Sequence, residues 1–123
     1  MRVGYTEIVT PNVDRLCQLL EASRGLMFGE AISALGGARV AQVDDETRIG
    51  VRTPLAEHEV PIVRPYFEVP DIAAAAHEAE EAGALIAYPP TVQGDTGTWA
   101  IYILDDLQIG LWQPPAEKAE RSR

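Results

Sequence analysis

VDDETRIGVRTP, residues 43–54, and ILDDLQIGLWQP, residues 103–114, are two versions of one text. Laid over each other, Asp45 meets Asp105, Ile49-Gly50-Val51 meets Ile109-Gly110-Leu111, and Pro54 meets Pro114. A second pair, Pro11-Asn12-Val13 and Pro70-Asp71-Ile72, matches at almost the same separation along the chain. A single insertion between the two places accounts for the small change. A near-constant shift at two distant points marks an internal duplication.

Each copy reads the same way outward from these anchors. Residues Val3 to Thr10 alternate like a strand, and Asn12 is placed to cap a helix. Val13, Leu16, Cys17, Leu19 and Leu20 recur at helical spacing, and Gly25 closes the helix. Extended segments follow at about 27–35, 38–44 and 47–53, broken at Gly36-Gly37 and at Asp44-Asp45-Glu46. Pro54 to Val60 is a polar connection carrying His58. In the second copy, Ile62 to Val69 is a strand and Asp71 caps a helix whose buried face is Ile72, Ala75, Ala76, Ala79 and Ala82. Gly83 ends that helix, and Leu85 to Tyr88 is the next strand. Pro89-Pro90 and Gly94 to Gly97 mark a loop, and Trp99 to Leu104 and Gln108 to Gln113 make the last hairpin. The prediction is one α+β domain over 1–114, with copies at about 1–54 and 61–114 and a frayed, flexible tail at 115–123. Neither copy buries both faces of its sheet alone, so the two together form a curved, cup-shaped mixed sheet with helices on the outer face.

The whole chain has 123 residues, 46% of them apolar and 24% charged, an ordinary globular profile. Its net charge of −9 argues against binding nucleic acid or an anionic membrane. No apolar run reaches the roughly 18–20 residues needed to span a bilayer. Met1-Arg2-Val3-Gly4-Tyr5 starts on a strand-like pattern with no signal-peptide core, so the chain is expected in the cytoplasm. The single cysteine, Cys17, excludes an internal disulfide and reads as a small core side chain.

The duplicated text resembles the vicinal oxygen chelate superfamily over residues 3–114. That superfamily includes glyoxalase I, bleomycin-resistance proteins and extradiol dioxygenases. Tyr5 to Val13 is similar to its opening strand and helix start, Tyr66 to Ile72 to the second-half counterpart, and Ala100 to Trp112 to its final hairpin. Within the superfamily the text looks closest to metal-free glyoxalase-like proteins labelled as hydroxylases. The scaffold hosts lyases, dioxygenases, epimerases and plain binders, so the resemblance speaks to fold before activity. Metal-using relatives place two His and two Glu at four equivalent strand positions, a set suited to a divalent ion with open sites for substrate oxygens. The resemblance puts Tyr5, Arg64, Gly50 and Gly110 at those positions. The duplication gives the same mapping, since the shift that carries Pro11 onto Pro70 carries Tyr5 onto Arg64, and the shift that carries Pro54 onto Pro114 carries Gly50 onto Gly110. No metal or other cofactor is therefore expected. His58, in a loop, and His77, on the second helix, do not restore a ligand set.

Strand side chains alternate between faces. By that parity Val3, Tyr5, Glu7, Val9, Arg48, Gly50, Arg52, Arg64, Tyr66, Glu68, Gln108, Gly110 and Trp112 turn toward the cup. Ile8, Ile49, Val51, Val63, Phe67, Ile109 and Leu111 turn toward the helices. Gly50 and Gly110 leave room for a ligand beside the backbone. Arg52 and Arg64 suit an anionic group, and Tyr5, Tyr66 and Trp112 suit a planar one. Trp99, beside the polar 93–98 loop, joins the candidate ligand-binding set, and the loop itself reads as a lid or as an ordinary hairpin connection. The same residues could instead cover a sheet or dimer interface, with Arg64 paired to Glu7 or Glu68.

Three functions follow. The first is a metal-free protein binding a small organic molecule, as in the drug-resistance branch. The second is a metal-independent isomerase or lyase, with Glu7 or Glu68 as base, desolvated beside Tyr66 or Trp112, and Arg64 stabilising an oxyanion. The third is a metal-dependent lyase or dioxygenase with a relocated site. Short members of this fold pair modules between chains, so a homodimer is expected.

Overall fold

The computed structural model describes residues 2–116; residue 1 and residues 117–123, most of the expected tail, lie outside the described residues. The chain divides into two compact units, Gly4–Arg64 and Met1–Val3 with Pro65–Arg123.

The first unit contains most of β1 (Val3–Val9), then α1 (Val13–Arg24), β2 (Arg39–Gln42), β3 (Arg48–Arg52) and the start of β4 (Ile62–Glu68). β1 runs parallel to β3, and β2 pairs antiparallel with β3. The segment expected as a strand at 27–35 is not one. It touches the sheet only through isolated bridges, Phe28 to Ala41 and Ile32 to Ala38, and turns through a short 3-10 helix, Ser33–Leu35. Its text, Met27 to Leu35, lacks a strand-like alternation, and Gly36 follows in the left-handed region at φ 68°. The core of this unit is Cys17, Phe28, Ala41 and Val51, with Ile8, Val13, Leu16, Leu20 and Ile49 packed against it. Each large apolar side chain fully buried in this way contributes about 1.5–3 kcal/mol. Leu19, assigned to the same helix face, is instead exposed. Cys17 is fully buried in this core, as expected, and that burial pushes its thiol pKa up. At the start of α1, Asn12 stands at the cap position but its side chain makes no cap bond; its own N–H donates to Thr10 Oγ1 at 3.2 Å.

The second unit contains the rest of β4, then α2 (Ile72–Glu81), β5 (Leu85–Val92), β6 (Thr98–Leu104) and β7 (Leu107–Gln113). β4 runs parallel to β7, which pairs antiparallel with β6, which pairs antiparallel with β5. Asp71 caps α2 by accepting from the Ala74 N–H at 3.1 Å. Val69, Ile72, Ala76, Ala100 and Leu111 form the core, with Phe67, Ala75, Ile86 and Tyr102 against it. Ala82, placed on that face by spacing, is exposed at the helix end. Pro89-Pro90 does not end the strand as expected. β5 continues through both prolines, with register shifts on either side of Tyr88. An edge strand tolerates missing N–H donors where a central one would not.

The duplication is visible in strand register. Glu7 faces Gly50 and Val9 faces Arg52 across β1 and β3. Tyr66 faces Gly110 and Glu68 faces Trp112 across β4 and β7. The second set follows from the first by the same two shifts that align the repeated text. The second unit is thus a βαβββ module, and the first follows the same order with the isolated Phe28 bridge in the place of the second strand. The face assignment also holds for Ile8, Ile49, Val51, Phe67 and Leu111, which all join the helix-side cores. Val63 departs from it and is exposed.

Candidate functional site

In the first unit four side chains form a continuous ionic chain. Glu7 leaves β1 and is buried; Arg52, at the end of β3, and Arg64, on β4, are buried as well. Arg52 donates from Nε to Glu7 Oε2 at 2.8 Å, and Arg64 donates from Nη1 to Glu7 Oε1. The outer edge of the Arg52 guanidinium is taken by Glu59, whose Oε1 and Oε2 accept from Nη1 and Nη2 at 2.9 and 2.8 Å. Two guanidinium groups thus share one buried carboxylate, and a second carboxylate closes the chain on the outside. Such charges are tolerated inside a protein only when paired and hydrogen-bonded. They are: among the described residues no buried side-chain nitrogen or oxygen lacks a partner. The Arg52 guanidinium holds the Glu59 carboxyl at about 2, well below its ordinary 4.5, and Glu59 in turn raises Arg52.

Tyr5 is buried in the same unit and covers Gly50. A Cβ added at Gly50 would overlap the Tyr5 hydroxyl. In the second unit, a Cβ at Gly110 would overlap the Tyr66 ring. The two glycines therefore do not leave space for a ligand, as parity alone implied. They make room for the tyrosines of their own modules.

The second unit carries rings where the first carries charges. Tyr66 meets Trp99 edge-on at 5.2 Å between centroids, and Trp99 stacks on Trp112 at 5.1 Å. All three are buried. Both indoles also hold the 93–98 connection: Trp99 Nε1 donates to Thr96 Oγ1 and Trp112 Nε1 to Thr96 O, each at 2.9 Å. With Gln93 and Gly97 bonded across its base, this segment is a fastened hairpin turn, not a lid. Glu68 pairs with Arg2 Nη1 at 3.0 Å, and its backbone N–H donates to Arg2 O. Gln108 is half-buried on β7 opposite Ile103. The candidates thus fall into two groups: Tyr5, Glu7, Arg52 and Arg64 in one unit, and Tyr66, Glu68, Trp99, Gln108 and Trp112 in the other. Glu59 belongs with the first group and was not singled out by sequence, since Glu57 in the same connection looks identical.

The residues that the sequence resemblance puts at metal positions do not suit a divalent ion. Tyr5 is packed over Gly50, Gly110 lies under Tyr66, and Arg64 is a cation committed to Glu7. The carboxylate that holds Arg64, Glu7, is shared between two guanidinium groups. No group of three or more His, Cys, Asp or Glu side chains among the described residues is arranged to hold a metal. His58 is exposed, and His77 pairs on the surface with Glu81 at 3.0 Å. A surface groove of about 490 Å³ beside the start of α1, lined by Asn12, Asp14, Arg15, Arg39 and Thr53, does not include the ionic chain.

Paired βαβββ-type units with matching register are the fold that the sequence resemblance implies, and this chain has it. Solved structures agree over nearly its full length. It is similar to methylmalonyl-CoA epimerase from Mycobacterium tuberculosis, at TM-score 0.72 and 19% identity, covering 94% of this chain and 89% of that one. It is equally similar to a substituted Streptomyces coelicolor methylmalonyl-CoA epimerase in complex with 2-nitronate-propionyl-CoA, at TM-score 0.73 and 16% identity, covering 94% and 96%. A hypothetical protein from Bacillus halodurans C-125 matches at TM-score 0.72 and 14% identity, covering 91% and 93%. No protein-family model and no curated protein matches this chain. Among the described residues no helix is long and apolar enough to cross a membrane.

Proposed function

We propose that this chain is a glyoxalase/bleomycin-resistance-like protein of the cytoplasm that binds a small organic molecule at the Arg52–Glu7–Arg64 centre of its first unit, without a metal ion. The observation that carries this reading is the burial of two guanidinium groups around one carboxylate on adjoining strands. Stability alone does not call for this arrangement, because well-packed apolar residues commonly fill such a volume as well or better. Guanidinium groups held in fixed planes are suited to bidentate recognition of an oxyanion. Tyr5, two residues before Glu7 on the same face of β1, is the ring proposed to accompany them. Neighbours solved in complex with acyl-CoA compounds support a small-molecule role for this scaffold.

The test is a thermal-shift screen of the purified full chain against small carboxylates, phosphates and aromatic acids, followed by mass spectrometry of the recovered compound. A stabilising compound returned unchanged is the expected result. Its effect should vanish in Arg64→Met. If no class stabilises the chain, or if Arg64→Met binds equally well, the reading is wrong. Metal analysis belongs to the same preparation, and a stoichiometric bound cation would overturn the metal-free part.

One further reading has a specific observation behind it: several solved neighbours are epimerases, a class of isomerase. A metal-independent isomerase would use Glu7 or Glu68 as base. In the first case Arg64 would have to turn from Glu7 to the substrate. Turnover of methylmalonyl-CoA, lost in Glu7→Gln or Glu68→Gln, would establish it, and no turnover by the parent chain would dismiss it for that substrate. We also propose a homodimer, which light scattering at micromolar concentration would show as twice the chain mass.

A further inference from the structure

We infer that Glu59 is a built-in occupant of a carboxylate site on Arg52, and that the 53–60 connection is a strap which a ligand carboxylate displaces. The inference rests on the binding reading above and names the chemical class of its ligand. Arg52 has two usable edges. Its Nε edge is committed to Glu7 inside the unit. Its Nη1/Nη2 edge faces outward and is filled by the two Glu59 oxygens at 2.9 and 2.8 Å, the fork-on-fork geometry a free carboxylate would adopt. Arg52 has 7% of its side chain exposed and Glu59 23%, so Glu59 stands on the solvent side of the pair.

The strap has little else to hold it. Its apolar side chains Leu55 and Val60 are 67% and 64% exposed, so closing it buries little apolar surface. Its internal bonds converge on the same residue: the Leu55 N–H donates to Glu59 Oε1 at 2.7 Å, and the Glu59 N–H donates to Ala56 O at 3.0 Å. Glu59 therefore fastens the loop to itself and, together with the Thr53 carbonyl that accepts from Arg52 Nη1 at 3.2 Å at its root, to Arg52. A ligand carboxylate of the same geometry replaces the contact with Arg52 bond for bond, and Glu59 moves out to solvent. A phosphate, with tetrahedral oxygens, matches the planar edge less well.

The experiment uses the full chain with sodium propionate as the carboxylate probe and inorganic phosphate as the comparison. Amide hydrogen exchange is read at Leu55, whose donor is held by Glu59. Propionate should speed exchange at Leu55 in the parent chain, while phosphate does so less. In Glu59→Ala the internal competitor is gone, and propionate affinity by calorimetry should rise about tenfold or more. Equal affinity in parent and variant, with Leu55 exchange unchanged by propionate, overturns the strap while leaving Arg52 as a ligand contact. Failure of propionate to bind either form also overturns the inference, and the binding reading then depends on the wider compound screen alone. The Leu55 measurement needs no substitution, so a poorly folding variant does not remove the test.

Discussion

Glu7 and Glu68 are both strand carboxylates near the same end of duplicated strands, yet their surroundings differ. Glu7 is buried between Arg52 and Arg64; Glu68 is paired with Arg2, whose side chain is 47% exposed. Removing the charge of Glu7 leaves two buried guanidinium groups short of an anion, so Glu7→Gln should cost about 3–5 kcal/mol in urea unfolding. Glu68→Gln should stay within about 1 kcal/mol, the range of solvated pairs. Glu59 gives a pH signature. Its folded pKa of about 2 lies below the ordinary 4.5, so its contribution is fully present above pH 4.5 and is lost as pH falls toward 2. Glu59→Gln should therefore flatten the stability profile across that window, as read by unfolding at a series of pH values. The sequence made Glu7, Arg52 and Arg64 visible through strand parity, because alternation constrains where a strand residue points. Glu59 was invisible because a connection has no period, and only the fold brings it to Arg52.

At the scale of elements, the helices and the paired strands were legible and the irregular pieces were not. Periodicity identifies both helices, with Gly25 closing α1 and Asp71 capping α2, and repetition supports β3 and β7. The 27–35 segment failed because its apolar residues carry no consistent alternation, and β5 because prolines are poor guides at a sheet edge. Parity also located Gly50 and Gly110, but a glycine's absent side chain does not say what fills the space. Here the filling is a tyrosine from the same module, which sets a measurable order. At Gly110 an added Cβ meets the root of the Tyr66 ring, which cannot swing clear without leaving its packed place. At Gly50 it meets mainly the far end of Tyr5. Both Gly→Ala variants should lose about 1–3 kcal/mol through overpacking, Gly110→Ala more than Gly50→Ala, as judged by denaturant midpoints. Tyr5→Phe should recover part of the Gly50→Ala loss, since it removes the hydroxyl that the new methyl meets.

On the scale of the whole molecule, the two units share a backbone plan and differ in their interiors. The first module is built around ion pairs and the second around rings. The repeated text records the shared plan, since register is a backbone property fixed by a few glycines and turn residues. The divergence sits in single side chains at equivalent places, such as Glu7 against Tyr66, and their partners come from distant parts of each module. One practical result concerns how unfolding is watched. Both tryptophans, Trp99 and Trp112, lie stacked together in the second module, and the first has none. Indole emission excited at the red edge of the absorption band is therefore a reporter for half the protein. If the ionic module melts early in acid, that fluorescence should stay native-like while far-ultraviolet dichroism has already begun to fall; superimposable curves would instead mean that the two halves give way together.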